Sequence, residues 1–169
     1  MKQFRIFLFA ALFMVAAGQE VSAQAKTAHI NVTELMQAMP EMKTANAQLE
    51  KISKTYETDY TNMVTEYQNK LKKYDQEAAT VTEAVNQTRQ TEMQDMGQRI
   101  QQFQQTASKE LQQKREDIYK PIMDKSLAAI QKVAKAKGYQ YVLDSSTGGG
   151  VLLADGPNLL ADVKKELGF

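Results

Sequence analysis

The stretch LEKISKTYETDYTNMVTEYQNKLKKYDQEA, residues 49–78, decides the fold. Its apolar and aromatic positions are Leu49, Ile52, Tyr56, Tyr60, Met63, Tyr67, Leu71, Tyr74 and Ala78. The steps between them recur as 3, 4 and 4. An eleven-residue period of this kind gives about 3.67 residues per turn and a straight or slightly right-handed helical seam. The stripe is narrow, so this helix has one apolar edge and is polar elsewhere.

A second stripe follows: Val85, Met96, Ile100, Phe103, Ala107, Leu111 and Ile118. Folding the chain back on itself sets Ala78 against Val85, Tyr67 against Met96 and Met63 against Ile100. It also sets Tyr60 against Phe103, Tyr56 against Ala107, Ile52 against Leu111 and Ala45 against Ile118. Each pair of residue numbers sums to 163, so the two stripes mirror each other about a point between Val81 and Thr82. The same mirror sets Tyr74 opposite Arg89, a cation–π geometry. Two mirrored stripes specify an antiparallel helical hairpin. Its seam is expected to hold Tyr56, Tyr60, Met63, Tyr67, Met96, Ile100, Phe103 and Leu111.

Local chemistry points the same way. Thr80 and Glu83 have capping-box spacing, which starts the returning helix near Val81. Pro40 suits the first turn of the outgoing helix. Pro121 lies inside the returning helix, where a kink is expected. The arm therefore covers residues 41–120, with its tip near 80–83 and each side roughly 60 Å long. The polar stretch GQRIQQFQQTASKELQQKREDIYKP (residues 97–121) is one side of this thin prong. It buries its seam and leaves its other faces to water or to a partner.

The segments outside the arm, 24–40 and 121–169, form a small body. TAHINV (27–32) alternates, with Ala28, Ile30 and Val32 on one face. YQYVLD (139–144) alternates too, with Tyr139, Tyr141 and Leu143 together. SSTGGG interrupts the chain and the apolar run VLLAD (151–155) follows, which predicts a hairpin turn and a third strand. GPNLLADVKKELGF closes as a short helix that ends at Gly168. A body of about 60 residues buries too little surface to stand alone. An apolar run without alternation suits a strand covered on both faces. The body is therefore expected to self-associate through Ile30, Val32, Tyr141, Leu143, Val151 and Leu153. The fold class is mostly α with a small β body.

The N-terminus reads as a leader rather than as part of this fold. Lys2 and Arg5 precede a 12-residue apolar run, residues 6–17, and small residues flank a cleavage point near Ala23. The run is shorter than the roughly 20 residues a membrane span needs. This predicts export as a soluble protein after loss of residues 1–23. No Cys follows the run to carry a lipid. Removing Lys2, Arg5 and Glu20 turns 21 basic and 20 acidic residues into 19 of each. A neutral balance excludes the basic excess that marks nucleic-acid binding.

The inventory also argues against an enzyme. There is no Cys, and His29 is the only histidine. His29 sits on the polar side of a strand with no second catalytic group in the sequence around it. In STGGGVLL the last Gly is followed by Val151 and Leu152, not by the Lys and Ser/Thr of a phosphate loop. No catalytic residue, cofactor or metal is expected. Asp144 and Asp155 read as turn caps.

In the order of its parts the chain resembles the Skp/OmpH family of periplasmic chaperones. The resemblance is carried by the leader, by AHINVTELMQAMPEM as strand, short helix and Pro-started long helix, and by the Gln/Lys/Glu-rich hairpin. YKPIMDKSLAAIQKVAKAKGYQYVLD continues it as return helix and strand, and a final helix ends VKKELGF. It implies a homotrimer whose strands form a central body and whose hairpins surround a cavity. It also implies ATP-independent binding of unfolded outer-membrane proteins there, close to the membrane surface. Well-known members are strongly basic where this mature chain is neutral, and no cluster here maps to the family's lipopolysaccharide site.

Val64, Tyr119 and Met123 are apolar residues off the seam and are the candidate client contacts, since Met surfaces adapt to varied shapes. The tyrosines of the seam are assigned to packing instead. The alternative to a holdase is a structural coiled-coil or adaptor protein of the envelope, with the prongs as spacers.

Overall fold

The computed structural model describes residues 25–169, and the leader reading of residues 1–23 lies outside them. The elements in order are β1 (Thr27–Ile30), α1 (Val32–Ala38), α2 (Pro40–Glu77), α3 (Glu83–Ala136), β2 (Tyr141–Asp144) and α4 (Leu160–Leu167). A single 3₁₀ turn, Ala78–Thr80, follows α2. Two long helices and a small two-stranded sheet make this a mostly α fold with an antiparallel helical hairpin standing on a small body.

The hairpin begins at Met39. Its extended backbone (φ −68°, ψ 127°) is what a residue before proline prefers, and Pro40 then opens α2. α2 has 38 residues and α3 has 54, so the outgoing side is about 57 Å long. At the tip the capping differs from the expected box. The Thr80 hydroxyl donates to the Glu77 carbonyl and closes α2. Thr82 caps α3 instead, its hydroxyl accepting from the Val85 N–H at 3.4 Å. Val81 lies extended between the two. α3 stays helical through Pro121.

β1 and β2 pair in parallel, Thr27 with Tyr141 through Ile30 with Asp144. Parallel neighbours need a long crossover, and here the entire arm supplies it. α3 ends at Gly138 in the left-handed region (φ 74°), with Gly138 N–H on the Lys135 carbonyl and Tyr139 N–H on the Ala134 carbonyl. This pairing satisfies the last carbonyls of the helix and turns the chain into β2.

Two expectations for the body are corrected. Val32 does not extend β1. The Asn31 side chain accepts from the Glu34 N–H at 2.9 Å and caps α1, so Val32 is the first helical residue. Residues 151–155 do not form a third strand, and the glycines do not make a hairpin turn. Among the described residues β2 pairs with β1 alone. Gly148 and Gly150 adopt φ of 90° and 78°, and a Cβ on Gly149 would lie 2.4 Å from the Asp144 carbonyl oxygen. The chain loops outward and returns at Asn158, which bridges to His29 on the other edge of β1.

The main core sits where these segments converge. Ala28, Ile30, Leu35, Ala129, Ile130, Val133, Ala134, Leu159 and Val163 are all buried there. A second cluster of Met39, Ala45 and Ile122 joins the arm to the body.

Candidate functional site

The arm presents the longest surface, and its sequence dictates how. Along the seam Met93 and Met96 are buried, while Tyr56, Tyr60, Met63, Tyr67, Ile100, Phe103 and Leu111 are half-buried. A two-helix hairpin covers each seam residue from one side only, which leaves this partial exposure. The Tyr56 ring meets the Phe103 ring edge-on, with centroids 6.3 Å apart at 65°. The Tyr56 hydroxyl donates to Glu110 at 2.6 Å, which raises the phenol's pKa. A groove of about 330 Å³ opens between the helices here, lined by Tyr56, Tyr60, Phe103, Ala107 and Leu111 among others.

Nearer the tip the seam becomes polar. Glu92 accepts from Lys70 at 2.5 Å and from Tyr74 at 2.6 Å. The Lys70 and Tyr74 hydrogen bonds hold the Glu92 carboxyl below the usual range. Arg89 pairs with Glu77 at 2.5 Å, and its guanidinium lies 4.4 Å from the centroid of the Tyr74 ring. Leu71 and Val85, expected in the stripes, are 49% and 41% exposed. Met93, which the expected stripe passes over, takes the buried place instead.

The candidate contacts off the seam differ among themselves. Val64 is half-buried. Tyr119 packs against the Met39 cluster and donates its hydroxyl to Asn46 at 2.6 Å. Met123 is 49% exposed, and one turn on Leu127 is exposed beside it, a residue the sequence reading did not single out. At the foot of the arm Lys125 pairs with Glu41 and lowers the pKa of that carboxyl.

In the body the six residues expected at an interface separate into two sets. Ile30 is fully buried in the chain's own core, and Val32 packs against that core from α1. Tyr141 and Leu143 lie on the outward face of β2, and Leu153 stands in the loop, all exposed. Val151 is half-buried, whereas Leu152 is fully exposed.

Asp144 anchors the start of that loop. Burial pushes its carboxyl up, but the N–H donors of Ser146 (2.9 Å) and Val32 (3.2 Å) outweigh this and hold it below its usual value. His29 is not without a partner. Its Nδ1 lies 3.1 Å from the Ser145 hydroxyl and its Nε2 lies 3.0 Å from the Gly156 carbonyl. Both ring nitrogens are thus engaged in closing a loop. Among the described residues no group of three or more His, Asp or Glu side chains is placed to hold a metal ion. No helix among them is long and apolar enough to cross a membrane.

The profile of OmpH-like outer membrane proteins matches residues 26–167, from the strand that opens the body to the helix that closes it. The chain belongs to the OmpH-like family. Proteins named chaperone protein Skp share this family's length and sequence pattern with it. The one from Photorhabdus luminescens is 28% identical over 166 residues, covering 95% of this chain and 97% of its own. The one from Yersinia enterocolitica is 29% identical over 168 residues, covering 95% and 98%. A crystal structure of an OmpH-like protein from Caulobacter crescentus CB15 superposes with a TM-score of 0.75 at 18% identity, covering 89% of this chain and 88% of that one. At that identity the likeness concerns the fold, and it spans arm and body together.

Proposed function

We propose that this OmpH-like chain is an ATP-independent holdase chaperone of the periplasm, which binds unfolded outer-membrane proteins and keeps them from aggregating. The observation that carries this reading is the match to Skp chaperones over nearly the whole length of both chains. The arm is consistent with it, because a single-seam hairpin leaves most of its circumference open along about 57 Å. Many weak contacts along such a surface retain a chain that has no fixed shape.

In this reading three copies assemble through the body, with Tyr141, Leu143, Val151 and Leu153 at the contact, and the arms enclose a cavity beside the membrane surface. Val64, Tyr119 and Met123 contact the client, with Met123 the most accessible of the three. The leader is removed near Ala23 during export. Unfolded β-barrel protein diluted from urea tests the proposal directly. Without nucleotide, equimolar trimer should suppress most of the light scattering. Scattering equal to that of the β-barrel protein alone would instead favour a spacer or adaptor role.

A further inference from the structure

The body's loop, residues 145–156, contains four glycines and ends on an exposed apolar tip, with Leu152 103% and Leu153 83% exposed. Water-facing leucines on a glycine-rich loop gain by folding back onto apolar surface, so something must hold the loop out. One residue of β1 contacts both of its ends. His29 bonds Ser145 through Nδ1 (3.1 Å) and Gly156 through Nε2 (3.0 Å). Its backbone N–H donates to the Pro157 carbonyl at 2.9 Å, and its carbonyl accepts from the Leu159 N–H at 3.0 Å.

We propose that His29 is a clasp that closes the two feet of this loop onto the central strand and so keeps the apolar tip projecting. The chemistry fixes the state of the ring. The Gly156 carbonyl can only accept, so Nε2 must carry the proton. In the neutral imidazole Nδ1 then accepts from the Ser145 hydroxyl. No aliphatic residue at this position can make both bonds. The side chain bridges residues 116 and 127 positions away and adds a tie at each foot, beside the backbone bonds of Ser145 to Ile30 and of His29 to Pro157.

The test uses the full mature chain. Nitrogen-15 NMR of the neutral histidine should show the Nε2–H tautomer, and a proton on Nδ1 would overturn the clasp. Hydrogen exchange followed by mass spectrometry should show residues 145–157 exchanging at least tenfold faster in His29→Leu, with His29→Gln restoring part of the protection. Protection in α4 serves as the check that the body remains folded. Exchange of the loop within twofold of the parent in a folded His29→Leu chain would also overturn it. One consequence rests on the assembly reading above: a loosened tip should weaken association of the copies. If the parent chain proves monomeric, that reading fails, while the tautomer and exchange results still judge the clasp.

Discussion

The arm and the body of this chain solve the same problem with opposite economies of contact. In the arm, two helices meet along one edge, and most of its residues, Tyr56, Tyr60, Met63, Tyr67, Ile100 and Phe103 among them, stay half-buried. In the body, β1, α1, α3 and α4 converge from distant parts of the sequence and exclude water from Leu35 and Val163 completely. Burial is therefore spread thinly over a long surface in the arm and concentrated at a few points in the body. The difference teaches where the chain can tolerate change. A contact in the arm is one of many similar ones, whereas a contact in the body has no substitute.

Leu35→Ala and Phe103→Ala break or sharpen this comparison most. Leu35 has no exposed surface, so its truncation should cost about 2–5 kcal/mol in urea unfolding. Phe103 is half-buried and should cost about half as much, with the loss confined to the arm. Equal losses at the two sites would mean that arm and body do not differ in the way their burial indicates.

A smaller effect separates the two ends of the arm itself. Below the tip the seam is apolar, but at the tip Glu92 gathers Lys70 and Tyr74 while Arg89 stacks on Tyr74. Glu92 titrates below its ordinary value of 4.5 in the folded chain. Its contribution is therefore complete above that value and is lost as pH falls through the lowered one. Thermal melting followed by circular dichroism should show the parent losing more stability between pH 6 and pH 3 than Glu92→Gln does. The network is only half-buried and is screened by water, so the difference should be the smallest of these. An identical acid loss in both proteins would show that the network does not hold the tip.

Much of the arm was legible in the sequence because its structure is one-dimensional. A period and a mirror point are enough to set Tyr74 against Arg89 and to place the reversal near residues 80–83. The misses there are local. Thr82 rather than Thr80 caps the returning helix, since the Thr80 hydroxyl is already spent on the Glu77 carbonyl. Met93 is buried although the expected stripe passes over it, and Val85, which the stripe includes, is exposed. The body was less legible because its contacts are long-range. The alternation of Ala28, Ile30 and Val32 hid the cap at Asn31. The apolar run after the glycines looked like a strand, although residues 151–155 pair with neither strand of the sheet. The pairing of His29 with Ser145 joins residues 116 positions apart, and no local pattern announces it.

The account depends above all on two edges of a single chain closing on each other, and one cross-link examines that most directly. Met63 and Ile100 line the same stretch of the seam, and the chain has no native cysteine to interfere. In Met63→Cys/Ile100→Cys, mild oxidation followed by denaturation and mass measurement should give a bridged single chain. Disulfides found only between chains would contradict the hairpin, and with it the arm on which the proposed function stands.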